Sequence, residues 1–379
     1  MGASRWLTLS QKDGPAIRVH NHVYSDMIFD GSGDSSQPPS IIMFVGRREK
    51  SALLRALLGG IDSSYDLGSH SQVDLWREPG RASARHPVLF ADSELHTYNP
   101  SRSAITAPLT GPERFRKMAW TSPGRPSCKR LAAQVCSTII APLSTVLCYF
   151  AADLGGIRGV ASLLAMHIEA QIRHDLVDAI KPHVLVAVPT PSNSPDVTKT
   201  QTKLLRLLQS ILSTQEAFES VTSIDKVIYS VVRSIHVHFL PPEKTDLPIR
   251  ATVLRNGLET LDCNAREIRL ANRTLFSHTH SQAFCGSLVD FVCQPSSQTF
   301  SFVAASRPHG HEDRQLGVHI ERLLRSLPSE VWHQAVPFLG SCFLLISYPP
   351  GSHSRLALEL RMTLTDLSVP AELDVSCVI

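Results

Sequence analysis

Gly46, Lys50 and Ser51 lie in FVGRREKSALLRALLGG, directly after the apolar run Ile41-Ile42-Met43-Phe44-Val45. That order suits phosphate chemistry. A glycine-led turn at a helix start can wrap an anion in backbone N–H groups, a lysine can reach the β- and γ-oxygens, and a hydroxyl can ligate Mg²⁺. The full pattern is G-x-x-x-x-G-K-[ST]. Here Arg47-Arg48-Glu49 fill the space between Gly46 and Lys50, without an inner glycine. Arg47 and Arg48 add positive charge beside the loop, while Glu49 opposes an anion by about 1 kcal/mol. Asp92, in PVLFADSELH, follows Ser51 by 41 residues. Nucleotide hydrolases place an acid at the end of such a strand to hold the water shell of Mg²⁺. Their D-x-x-G pattern has Leu95 in place of the glycine here.

Two other constellations compete with this one. DLGGIRGVASLL, residues 153–164, differs by Leu154 from the D-G-G-G-I-R-G string with which patatin-type lipases build an oxyanion hole. Such a lipase also needs a G-x-S-x-G nucleophile elbow on the next strand. AVPTPSNSP stands there instead, no G-x-S-x-G occurs anywhere, and no D-G-[GA] supplies an aspartate. The 17 histidines include H-x-H pairs at 20/22, 236/238, 278/280 and 309/311. On a strand such a pair shares one face, which a metal could use. His309-Gly-His311-Glu-Asp313 is similar to the opening of a metallo-β-lactamase motif, but Arg314 replaces its last histidine. The histidines read as solvated or core-satisfied groups, with His236 and His238 sharing a partly exposed face.

Strand, turn, helix positions the first motif. Ile41–Val45 is short, β-branched at its start and closed by Gly46; Leu53, Leu54, Leu57 and Leu58 then share a helical face that ends at Gly59-Gly60. The alternation continues with strands over Val73–Glu78 and Pro87–Ala91 and a Pro-, Ser- and Thr-rich loop over 97–125. A helix over Lys129–Ile140 and a strand over Thr145–Ala151 follow. Next come a helix over Ile157–Val177, a strand over His183–Val188, a helix over Lys199–Leu212 and a strand over Ile235–Leu240. Strands apolar on both faces and interleaved with helices predict an α/β fold, with a mostly parallel sheet covered on both sides. Residues 1–38, ending in DGSGDSSQPPS, read as a flexible lead. Residues 39–245 form the α/β domain, and 246–379 a mostly helical region with patterns over 248–271, 276–292, 316–327 and 330–346.

Composition narrows the function classes. Hydrophobic residues at 43% supply a core, and a net charge of +3 from 37 basic and 34 acidic residues does not point to nucleic acid. No apolar run reaches the ~18 residues of a membrane span, and the N-terminus has no signal-peptide core, so a cytoplasmic protein is expected. Eight scattered cysteines without a C-x-x-C pair suggest reduced thiols rather than a zinc or disulfide framework.

Three segments, FVG…KSALLRALL, SQVDLWREP and PVLFADSELH, resemble the dynamin- or septin-like P-loop GTPase domain found upstream of patatin-like phospholipase domains in large fungal proteins. TVLCYFAADLGGIRGVASLLA, PHVLVAVPTPSN and SYPPGSHS extend the likeness over roughly residues 40–355. The phosphate loop is two residues shorter than in that family, and VPTPSN stands where a guanine-reading [NT]-K-x-D follows the fifth strand. The resemblance implies a P-loop NTPase-like fold and Mg²⁺ with GTP or ATP as ligand. Gly46, Arg47, Lys50 and Ser51 would lie at the nucleotide, and Ser51 and Asp92 at the metal. Its chemistry would be phosphoryl transfer to water, with Lys50 neutralising β/γ charge and Asp92 orienting the metal's water. The expected function is a degenerate nucleotide-binding regulatory module with weak or absent hydrolysis and a protein partner. The alternatives are a nucleotide-free interaction scaffold on the same fold and a patatin-like lipid hydrolase remnant.

Overall fold

Among the described residues, alternating apolar side chains decide the two faces of a nine-stranded sheet. The computed structural model describes residues 4–10, 16–20, 38–60, 72–78, 87–97, 116–118, 127–171, 176–190, 196–218, 221, 223–272, 274–293, 300 and 316–347. Its strands are β1 (Ser4–Ser10), β2 (Ala16–Val19), β3 (Ser40–Val45), β4 (Gln72–Arg77), β5 (Val88–Ser93), β6 (Arg116–Lys117), β7 (Val146–Phe150), β8 (His183–Pro189) and β9 (Ser234–Leu240). They lie in the order β6-β2-β1-β4-β5-β3-β7-β8-β9. β5, β3, β7, β8 and β9 run parallel. β4 is antiparallel to β5, and β1, β2 and β6 continue the antiparallel side. The sheet is therefore mixed rather than mostly parallel.

β3 carries the period of two on both sides. Ile41, Met43 and Val45 join one core, and Ile42 and Phe44 the other. The first core takes in α2 (Cys128–Val135), α3 (Gly156–Gln171), α4 (Val197–Ser213), α5 (Ile224–Val231) and α7 (His278–Cys293). The second takes in α1 (Arg48–Leu57) and α6 (Leu247–Ala271), where Leu53, Leu54 and Leu57 meet Leu254, Leu258 and Leu261. Burying each such leucine contributes about 1.5–3 kcal/mol. Past α7 the chain forms α8 (Leu316–Ser326) and α9 (Trp332–Ser347), tied by Trp332 Nε1 donating to Leu324 O at 2.9 Å. Among the described residues no helix is long and apolar enough to cross a membrane.

The structure departs from the sequence expectation at both ends of the α/β unit. Part of the lead is sheet: Trp6, Leu7, Leu9 and Ile17 are buried in the first core, so β1 and β2 are integral strands. Short strands flanked by polar turns are masked in a composition window. The division at 245/246 does not coincide with a packing boundary. α6 is a sheet-covering helix, pinned by Thr145 Oγ1 donating to Asp262 Oδ1 at 2.6 Å and by Arg269 donating to Ser144 O and Ile180 O at 2.7 and 3.1 Å. β6 lies within the stretch read as loop and pairs with β2, and α5 buries Val227, Ile228 and Val231 where no helix was expected.

Candidate functional site

From β3 the chain passes through α1 to β4 and β5 on one side of the sheet and later to β7 on the other. In parallel sheets the carboxyl edge at such a reversal is where ligands bind. Gly46 and α1 leave β3 at this edge. One turn, Ala151–Leu154, leaves neighbouring β7 at the same edge.

The two connections meet through Asp153. Its Oδ2 accepts the amides of Arg47 at 2.7 Å and Lys50 at 2.9 Å, and its Oδ1 those of Arg48 and Glu49, both at 3.0 Å. Four convergent N–H groups at a helix start form an anion nest, favoured further by the helix dipole. Here the anion belongs to the protein. Gly46 is required by the close approach, since a β-carbon there would stand 2.7 Å from Asp153 Oδ2 and 2.9 Å from Lys50 Cβ. The glycines after Asp153 serve the same placement. Gly155 and Gly156 take positive φ of 83° and 78° as the chain re-enters a helix. A β-carbon on Gly159 would stand 1.6 Å from the Leu154 carbonyl oxygen.

The lysine is also engaged. Lys50 is fully buried, and its Nζ donates to Asp92 Oδ1 and, at 3.3 Å, to Glu94 Oε1. Burial pushes the Glu94 carboxyl above its ordinary range against the opposing pull of Lys50. Asp74, on β4 across from Asp92, is raised to about 6 by burial and then by the Asp92 charge. Glu49 turns away from the loop into a buried ion pair with Arg250 of α6, whose Nε donates to Pro241 O at 3.0 Å. Burial raises Glu49 although Arg250 pulls it down.

The structure thus places Gly46, Arg47, Lys50, Ser51 and Asp92 at one edge of the sheet. Arg47 is exposed and Ser51 half-buried. Asp92 salt-bridges Lys50, and a nucleotide phosphate entering the nest would have to displace the Asp153 carboxylate. Among the described residues no group of three or more His, Cys, Asp or Glu side chains could hold a metal ion. As they stand, these residues do not fit a Mg²⁺-nucleotide.

Sequence reasoning missed Asp153, Glu94, Asp74 and Arg250. A signal existed for Asp153, which stands directly after an apolar strand in a glycine-rich string; that string was read for its lipase likeness and as part of the GTPase resemblance, without a role for Asp153. His236 and His238 do share one side of β9. His236 is exposed, while His238 Nε2 bonds Val253 O at 3.0 Å, so the pair does not converge on a common point. His309, His311 and residues 191–193 lie outside the described residues.

No protein-family profile matches the chain, and no curated protein matches it. Among solved structures it aligns with the siderophore hydrolase EstA from Aspergillus nidulans at 10% identity and a TM-score of 0.28, over 69% of this chain and 94% of that one. A similarity at that level carries no argument about fold or function.

Proposed function

We propose that this protein is a nucleotide-free interaction module on a P-loop GTPase-like α/β fold, with its phosphate nest filled from within. The observation that carries this reading is the Asp153 carboxylate, which takes all four amides of Arg47–Lys50. The burial of Lys50 between Asp92 and Glu94 supports it, because the cation that would meet β/γ-oxygens is neutralised internally. The position of the nest at the carboxyl edge, with Gly46, Lys50 and Ser51 in order, supports the P-loop-like assignment. The lipase reading gains nothing, since Gly155, Gly156 and Gly159 are accounted for by chain geometry. Its working surface is then for a protein partner, in place of a reaction.

The same amides favour a second reading, in which nucleotide displaces Asp153 and binds weakly. Thermal melting of the purified chain with GTP, GDP and ATP at millimolar concentration, with and without Mg²⁺, separates the two. A micromolar site would add about 4 kcal/mol, a shift of several degrees. The scaffold reading expects no shift. A metal-dependent shift that Lys50→Ala removes would overturn it.

A further inference from the structure

At the opposite edge of the sheet, where β8 and β9 begin, the register sets His183 beside Ser234. Ser234 Oγ lies 2.6 Å from His183 Nδ1 and 2.7 Å from His236 Nε2. A hydroxyl has one proton, so one imidazole accepts it while the other donates its N–H to a lone pair on Oγ. A base within hydrogen-bond reach of the hydroxyl is what activates a serine as a nucleophile, and His236 fixes the direction of the oxygen from the other side. We propose that Ser234 is a reactive nucleophile, with His183 as the base that takes its proton, open to small acylating or phosphonylating compounds.

The surroundings suit this chemistry. His183 is buried beneath the strand ends, Ser234 is half-buried and His236 exposed, so the oxygen has a solvent side and a protein side. Burial lowers His183 to about 4, and the nearby His236, Arg233 and Arg269 act in the same direction. Burial also lowers His236. Both rings are therefore neutral at pH 7 and each keeps a lone pair that can accept a proton, with burial making His183 a weaker base than free imidazole. This site lies at the amino ends of the strands and is independent of the nest at their carboxyl ends.

With a fluorophosphonate, Ser234 Oγ forms a bond to phosphorus as the P–F bond breaks. Fluoride leaves, and the serine proton passes to His183 and then to solvent. The folded full-length chain is incubated with the probe, digested and mapped by mass spectrometry, beside Ser234→Ala, His183→Gln and His236→Gln chains of verified melting temperature. The expected result is an adduct on the peptide holding Ser234, absent from Ser234→Ala. Labelling should be slower by about 100-fold in His183→Gln, the low end of a general base's contribution. An unlabelled Ser234 in the folded wild-type chain would overturn the proposal. So would a labelling rate unchanged in His183→Gln. Should His183→Gln fail to fold, His183→Asn takes its place in the same comparison.

Discussion

Arg47 and Asp153 are 106 residues apart in the chain, yet the Arg47 amide donates to Asp153 Oδ2 at 2.7 Å. With the three following amides on the same carboxylate, this contact caps α1 from another connection and joins the ends of β3 and β7. The first turn of a helix has N–H groups without helical partners. Residues just ahead of a helix usually supply the acceptor; here a distant aspartate does.

Asp153→Ala should therefore destabilise the protein substantially. Hydrogen bonds to a charged group contribute about 1.5–3 kcal/mol each, and water recovers part of the loss at this half-buried site. A net loss of about 3 kcal/mol is expected in urea unfolding, with a melting temperature lower by roughly 4 °C for a chain of this length. Asp153→Asn should lose less, because the amide oxygen still accepts. Sulfate should restore more stability to Asp153→Ala than it adds to the wild-type chain. Equal sulfate effects on the two chains would show that the vacated amides do not form a nest.

Gly46→Ala tests the close approach directly. The added methyl would meet Asp153 Oδ2 at 2.7 Å and Phe150 Cβ at 3.0 Å, and overpacking of this kind costs about 1–3 kcal/mol. Combined with Asp153→Ala, the part of that cost due to the carboxylate should vanish while the contacts with Lys50 Cβ and Phe150 Cβ remain, giving a coupling of at least about 0.5 kcal/mol in a double-mutant cycle. Simple additivity would mean that Gly46 is needed for a reason unconnected with Asp153.

Asp74 makes stability depend on pH in the direction opposite to a salt-bridged acid. Its folded pKa is raised from 3.8 to about 6, by burial and then by Asp92. Between those values the folded state binds more proton than the unfolded chain, so stability falls as pH rises through the window. Asp74→Asn removes that dependence. Relative to wild type it should gain about 2–3 kcal/mol between pH 4 and pH 7, read from unfolding curves at the two values. A constant difference across the window would contradict the assignment.

His167 acts at the acid side. It is buried against Tyr149, with Nδ1 2.6 Å from the phenolic oxygen, and burial followed by the nearby His96 lowers it to about 3. The unfolded chain takes up a proton below pH 6.5 while the folded one does not, so stability should fall as pH drops from 6.5 towards 3. The slope in this window is about 1.4 kcal/mol per pH unit. His167→Gln should remove this contribution to the slope between pH 6.5 and 4.5, where His183 and Asp74 also titrate, while lowering stability at pH 7.

The local physics of this protein is written in its sequence. Ile41–Val45 alternates two apolar sets because a strand shows successive side chains to opposite faces, and Leu53, Leu54 and Leu57 fall on one side of the following helix. These patterns led to the α/β fold, to the β3–α1 turn, and to Gly46, Lys50, Ser51 and Asp92 as a group at one edge. Tertiary structure decided what that group does. Strand pairing places β7 beside β3, bringing Asp153 to amides more than 100 residues away, and pairing β5 with β3 closes Asp92 and Glu94 over Lys50. Hydrophobic periodicity states that a strand is buried, without stating which strand lies next to it. The carboxylate that fills the nest, the antiparallel strands from the N-terminal segment and the docking of α6 all depend on those neighbours.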